Sequence, residues 1–366
     1  MGNLFKVWIA LLSLGILLGL YSVFQIFTIG HGELANATQL LPWGLQVSAY
    51  IFLALTSTGC SFVSYLGTLG GVEKIKAIVP RAILLSLLTV VAGFASLSLE
   101  IGRLERLPIE FAVNPNLTSA MWWMGVFYSL KMGVLAVELI MLKFHNEKLD
   151  RIINWVGLIS GIAAVSSLGG VFGVLEGRAY GFGPFTPIYF LIMAFLGGAS
   201  LILFVSCIIN MVKGGDEKLE GAIIMLRKVF IMAMVIVFIA SLWRYMVGVW
   251  VSDPYYDLFK IGAKQFWLCS VLIGMVVPLI IVALQKKPGI LLAAASLITL
   301  VIQFIDRNTL IVGIQKIPLL QGVWEPPVLP YTPAPIEIFV VIFVLSIIGI
   351  VYSVAEKKGL FESIHH

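Results

Sequence analysis

The sequence predicts an all-α integral membrane protein of about ten transmembrane helices, with both termini in the cytoplasm. Three observations carry that expectation. Of 366 residues, 60% are hydrophobic and only 12% charged, where a water-soluble domain has about 25% charged, and mean hydropathy is +1.03. The apolar residues fall in blocks of roughly 20, the length a helix needs to cross a hydrocarbon core. The basic residues, finally, divide unevenly between the two sets of connections. A soluble enzyme is excluded on composition alone.

Apolar windows between charged or Pro/Gly breaks place the spans at 7–29, 45–70, 81–101, 119–142, 152–174, 185–211, 227–250, 264–285, 288–305 and 335–355. The first is long, lacks a small-residue cleavage site and is followed by further spans, so it reads as an anchor and not a leader. The second follows Pro42-Trp43-Gly44, and the third follows Lys74, Lys76 and Arg81. The seventh is set off by Arg227-Lys228. Only Lys286-Lys287-Pro288-Gly289, a tight-turn signal, separates the eighth from the short ninth, which ends before Asp306-Arg307. Glu337 opens the tenth.

An even number of spans puts both termini on one side. That side collects 15 of the 24 Lys and Arg, the other 7, and Lys131 and Arg244 fall within spans. Positive charge is retained on the cytoplasmic face, which sets the orientation. The opposite connections (30–44, 102–118, 175–184, 251–263 and 306–334) are longer and hold Pro, Trp and Tyr. Long ordered loops cost entropy and usually exist to bind something, so a docking partner is expected on the outer face.

Several chemistries are disfavoured. The net charge of +5 has no basic run behind it, so no nucleic-acid partner is implied. Cys60, Cys207 and Cys269 lie far apart with no CxxC, which suits packing and not an iron–sulfur cluster or a metal. His31 and His145 sit at span ends and His365-His366 close the chain, so no span offers the central histidines of a b-type haem. A P-loop, an HExxH and a G-x-S-x-G elbow are all missing.

Charges inside a bilayer are costly and mark either structural ion pairs or functional routes. Lys131 and Glu138 are seven apart, two turns along one helix face. With Arg244, Arg307 and Glu337 they are the candidates for a proton pathway. Aromatic residues gather at outer span ends: Trp43, Trp122-Trp123, Tyr255-Tyr256 and Trp324. An interfacial belt accounts for most of them. A quinone head group asks for the same chemistry: aromatic walls, donors for its carbonyls, and a group that exchanges protons. Glu100, Arg103, Asn116, Trp122 and Tyr128 supply that set at the outer ends of spans three and four.

At these residues the chain resembles the polysulfide reductase membrane-subunit family (NrfD/PsrC-like), in particular its ten-span, HybB-like branch. The matching features are Pro42-Trp43-Gly44 with Tyr50 and Gly59, then Glu100-Ile101-Gly102-Arg103 with Asn116, Ser119, Trp122 and Tyr128. Ser166-Ser167-Leu168-Gly169 with Pro184 and Pro187 follow, then Phe266-Trp267, Pro278, Arg307-Asn308, Tyr331, Pro333 and Glu337. The resemblance implies two four-helix bundles plus two additional helices and a cell-membrane location. It implies a subunit with no haem or iron–sulfur cluster of its own, exchanging electrons between a menaquinone or ubiquinone pool and a ferredoxin-like iron–sulfur partner. That partner would dock on the outer face and carry a molybdopterin or [NiFe] hydrogenase catalytic subunit. On this reading Glu100 exchanges the proton, and Arg103, Asn116, Ser166 and Ser167 orient the carbonyl oxygens between Trp122 and Tyr128. Two positions depart from the pattern: Ala164 stands where relatives carry His, and Cys269 where they often carry Glu. Proton translocation is therefore not carried over. The rival readings are a secondary transporter, for which no inverted repeat is seen, and a structural anchor without a working quinone site.

Overall fold

A computed structural model describes residues 2–101, 106–144, 146–252, 256–318 and 328–361. Ten helices among them are long and apolar enough to cross a membrane. They are α1 (Gly2–Ile29), α2 (Leu45–Thr68), α3 (Val79–Glu100), α4 (Ala120–Met141), α5 (Glu147–Gly173), α6 (Phe185–Lys213), α7 (Glu217–Trp250), α8 (Ala263–Leu284), α9 (Ile290–Lys316) and α10 (Pro335–Lys357). There is no strand among the described residues.

Helices α2 to α5 close one four-helix bundle, and α6 to α9 close a second. Helix α10 lies against α3 and α2, and α1 packs almost solely on α10. Burial follows this order: 22% of the α1 span is buried against 89% of α2, which stands between the bundles. What lets α2 sit there is small side chains. A Cβ added at Gly59 would run into the Ala194 carbonyl of α6, and one at Gly198 into the Gly59 backbone. Contact of this kind, backbone on backbone, is how helices associate where lipid removes the hydrophobic drive.

Three boundaries lie beyond the sequence reading. Helix α7 starts at Glu217 and not at 227, because the Asp216 side chain caps it and Leu219, Ala222, Ile223 and Leu226 are buried ahead of Arg227. Arg227 itself reaches across to the Val282 and Ala283 carbonyls. Helix α5 likewise begins at Glu147, capped by Asn146, and not at 152. Helix α9 does not stop at 305. It passes through Asp306-Arg307 to Lys316, since Leu310–Ile314 is again apolar and buried. Arg178 then caps its end by donating to the Ile314 and Ile317 carbonyls. Arg307 thus lies within α9 and not in the connection that follows it.

At the end opposite the long loops, Arg81 of α3 donates two hydrogen bonds to Glu356 of α10, at 3.1 and 2.9 Å, and Lys213 of α6 pairs with the same carboxylate at 2.8 Å. One carboxylate therefore ties together α10 and both bundles.

Candidate functional site at the loop-rich end

The predicted site residues separate into three places. The first is built where α1, α2, α3 and α10 end together. After Ile29 the chain turns at Gly30 (φ 101°), the left-handed region that favours glycine, and enters the short helix His31–Leu34. The His31 side chain meets Gln46 from the first turn of α2 and Glu100 from the last turn of α3. Its Nε2 lies 2.7 Å from Gln46 Oε1 and 3.1 Å from Glu100 Oε2. One ring nitrogen between two oxygens must carry the proton and donate. The Glu100 contact, opposed by burial, raises the His31 pKa above its ordinary 6.5.

Three buried atoms in this cluster make no hydrogen bond among the described residues: the Gln46 amide nitrogen, Glu100 Oε1, and Glu100 Oε2, which has only its ion pair with His31. An unpaired buried carboxylate oxygen and an unpaired buried donor, on two side chains that meet the same histidine, form a polar site left incomplete by the described residues. A ligand bearing both a hydrogen-bond donor and an acceptor would complete it.

Glu337 sits next to this group and is fully buried. Its Oε1 accepts from Tyr331 Oη at 2.7 Å and from Leu45 N at 3.2 Å, and its Oε2 accepts from Ala334 N at 2.7 Å. These are the contacts of a helix cap. The Gly44 N-cap gives α2 no side-chain acceptor, and a carboxylate from α10 answers the orphan N–H groups and the helix dipole. The carboxylate in turn raises the Tyr331 pKa, which burial already pushes upward.

The other described members of the predicted quinone set are not brought onto Glu100. Its structural partner is His31; Arg103 lies outside the described residues. Asn116 is exposed and accepts from Thr118. Trp122 donates to the Phe111 carbonyl and stacks on that ring, 5.5 Å between centroids. Tyr128 is buried against Phe94, with its hydroxyl unpartnered among the described residues. Ser166 and Ser167 are half-buried on α5.

The second place is the interior of the first bundle. Lys131 is 1% exposed and donates to Ser57 Oγ at 2.5 Å. Ser57 and Ser61 both meet Ser86 of α3. One helical turn beyond Ser61, Tyr65 donates to Glu138 Oε1 at 2.9 Å, and Glu138 Oε2 has no partner among the described residues. The seven-residue spacing thus does put both charges on one inward face.

The third place lies in the second bundle, where Arg244 and Arg307 share the Tyr189 ring, 5.2 and 5.3 Å from its centroid. Arg244 is only half-buried and also donates to the Tyr180 carbonyl. The five candidate proton-pathway residues therefore do not form one route: Lys131 and Glu138 belong to one bundle, Arg244 and Arg307 to the other, and Glu337 caps α2.

His31 and Gln46 are the partners that sequence reasoning missed. His31 is visible as one of only two histidines near span ends. Nothing in the linear sequence joins it to Glu100.

The profile of the family described as "Polysulphide reductase, NrfD" matches residues 33–318. Over 340 aligned residues the chain is 21% identical to a selenate reductase subunit of Mesobacillus selenatarsenatis, covering 80% of this chain and 78% of that one. It is 23% identical over 186 residues to the Hdr-like menaquinol oxidoreductase integral membrane subunit of Archaeoglobus fulgidus, covering 51% of this chain and 46% of that one.

Proposed function

Since the chain belongs to the NrfD polysulphide reductase family, multi-pass membrane subunits of oxidoreductase complexes, we propose that it is the subunit through which such a complex meets the quinone pool. The head group would bind at the loop-rich end beside Glu100, His31 and Gln46. The observation that carries this reading is a pair of buried atoms, Glu100 Oε1 and Gln46 Nε2, that lack hydrogen-bond partners among the described residues and belong to side chains meeting one histidine. A quinol hydroxyl donates and a quinone carbonyl accepts, so the two atoms match both redox forms of one ligand. The Archaeoglobus fulgidus relative, by its name a menaquinol oxidoreductase subunit, supports the same chemistry.

In this arrangement Glu100 takes or returns the proton that accompanies electron transfer, and His31 holds the carboxylate in place. Protonated, His31 also offsets the charge of the carboxylate. Gln46 orients the carbonyl oxygen. The electrons pass to an iron–sulfur partner seated on the loop-rich end, which carries the catalytic subunit. Lys131, Ser57, Tyr65 and Glu138 are a separate line of exchangeable protons in the first bundle and the better of the two candidate routes.

The test compares two assays of the assembled complex. Glu100→Gln is expected to cut quinone-linked turnover about 10²-fold, the usual scale for removing a general acid/base, with artificial-dye turnover at the catalytic subunit unchanged. Equal loss in both assays, or loss in neither, removes Glu100 from the quinone site.

A further inference from the structure

The second bundle holds a cavity that the quinone reading leaves unused. It opens between α6, α7, α8 and α9 at the loop-rich end, with a volume of about 560 Å³. Helix α8 is wound as a π-helix over Phe266–Val276, a rare wide winding that is frequent at functional sites. Phe266, Cys269 and Ser270 of that stretch stand in the cavity wall.

The charges of the described residues in this wall do not balance. Arg307 is 2% exposed, its guanidinium lies over Tyr189 and Phe190, and its Nη1 has no acceptor among the described residues. Arg244 lies over Tyr180 and over the same Tyr189 ring. Lys264 and Lys316 add two more cations. Against these four stands one carboxylate among the lining residues, Asp306, whose Oδ1 already accepts from Ser270 at 2.5 Å. Of the four, Arg307 is buried, Arg244 and Lys316 are half-buried and Lys264 is exposed; a buried cation is stable only when paired, and removing a partner in such a setting costs several kcal/mol. Two guanidiniums on one ring, with donors to spare, fit an oxyanion. A neutral head group would leave the excess charge standing.

The mouth indicates where the anion comes from. Leu258, Ile261 and Leu268 line the cavity, and Ile261 and Leu268 also show large outward-facing apolar surfaces. Exposed Trp267 precedes Leu268 in the chain and packs on Tyr245 of α7, the helix that also carries exposed Trp243 and Trp250, residues of the kind that mark head-group depth in a bilayer. We propose that the cavity binds the phosphate of an anionic phospholipid between Arg244 and Arg307, with the acyl chains leaving past Ile261 and Leu268. This site is independent of the quinone reading and stands or falls without it.

The complex is purified in detergent, washed, and its bound phospholipid counted by phosphorus analysis and mass spectrometry. The wild type is expected to keep one more anionic phospholipid per chain than Arg244→Gln/Arg307→Gln. A second measurement needs no variant: delipidated wild-type complex should regain thermal stability from micelles doped with phosphatidylglycerol, and not from phosphatidylcholine or millimolar inorganic phosphate. Equal lipid counts in wild type and variant overturn the proposal, as does equal rescue by phosphatidylcholine. Full rescue by inorganic phosphate makes the ligand a free oxyanion and overturns the lipid assignment. Displacement of the lipid by a quinone analogue also overturns it.

Discussion

At Glu100 the decisive contact comes from His31, 69 positions earlier in the chain. The sequence shows a carboxyl at a span end in an aromatic setting, and that much is legible from one residue and its neighbours. The histidine is legible only as a residue at another span end, because the meeting of α1, α2 and α3 is a fact of packing. The pair makes a pH-dependent contribution whose sign follows from the raised His31 pKa. A histidine held charged by a carboxylate stabilises the fold fully below its unfolded pKa of about 6.5, and that contribution fades as pH rises through the higher folded value. The melting-temperature gap between wild type and His31→Gln should therefore be largest below the ordinary histidine pKa and close as pH rises through the higher folded value. A gap that is flat, or that widens with pH, would show that His31 is not held protonated by Glu100.

At the scale of elements, all ten helices are readable because each must bring about 20 apolar residues to the bilayer. Their ends are less readable. Charges at Arg227 and Asp306-Arg307 look like breaks in an apolar window, yet neither interrupts a helix. Arg227 reaches backbone carbonyls and Arg307 lies on aromatic rings, so each finds within the protein what the window assumes only water can give. What sequence does not reveal at all is which glycines make contacts. Gly198→Ala or Gly59→Ala would force α2 and α6 apart, at a cost of about 1–3 kcal/mol or more for overpacking. Gly133, an exposed helical glycine with no atom within 4 Å of an added Cβ, is the control. Thermal inactivation in detergent should be accelerated by either of the first two substitutions and unchanged or slowed by Gly133→Ala. Equal behaviour of all three would mean that the crossing is not close.

For the whole molecule, the two bundles give the scattered charges different roles. Lys131 and Glu138 face one interior, Arg244 and Arg307 another, and Glu356 joins α10 to both bundles. No reading of spacing within a single helix could have separated them, since the separation comes from which helices pair. The orientation expected from sequence, both termini cytoplasmic, rests on the uneven division of Lys and Arg. A single cysteine at position 110, in a chain freed of its native thiols, should react with impermeant reagent only from the outer side; reaction only from the cytoplasm would invert the topology.

The central claim, that quinone meets this chain beside Glu100, is tested most directly by photolabelling. A photoreactive quinone added to native membranes should label peptides containing residues 31–46 and 94–101, with protection by excess unlabelled quinone. Labelling confined to the second bundle, or not reduced by competitor, would contradict the account.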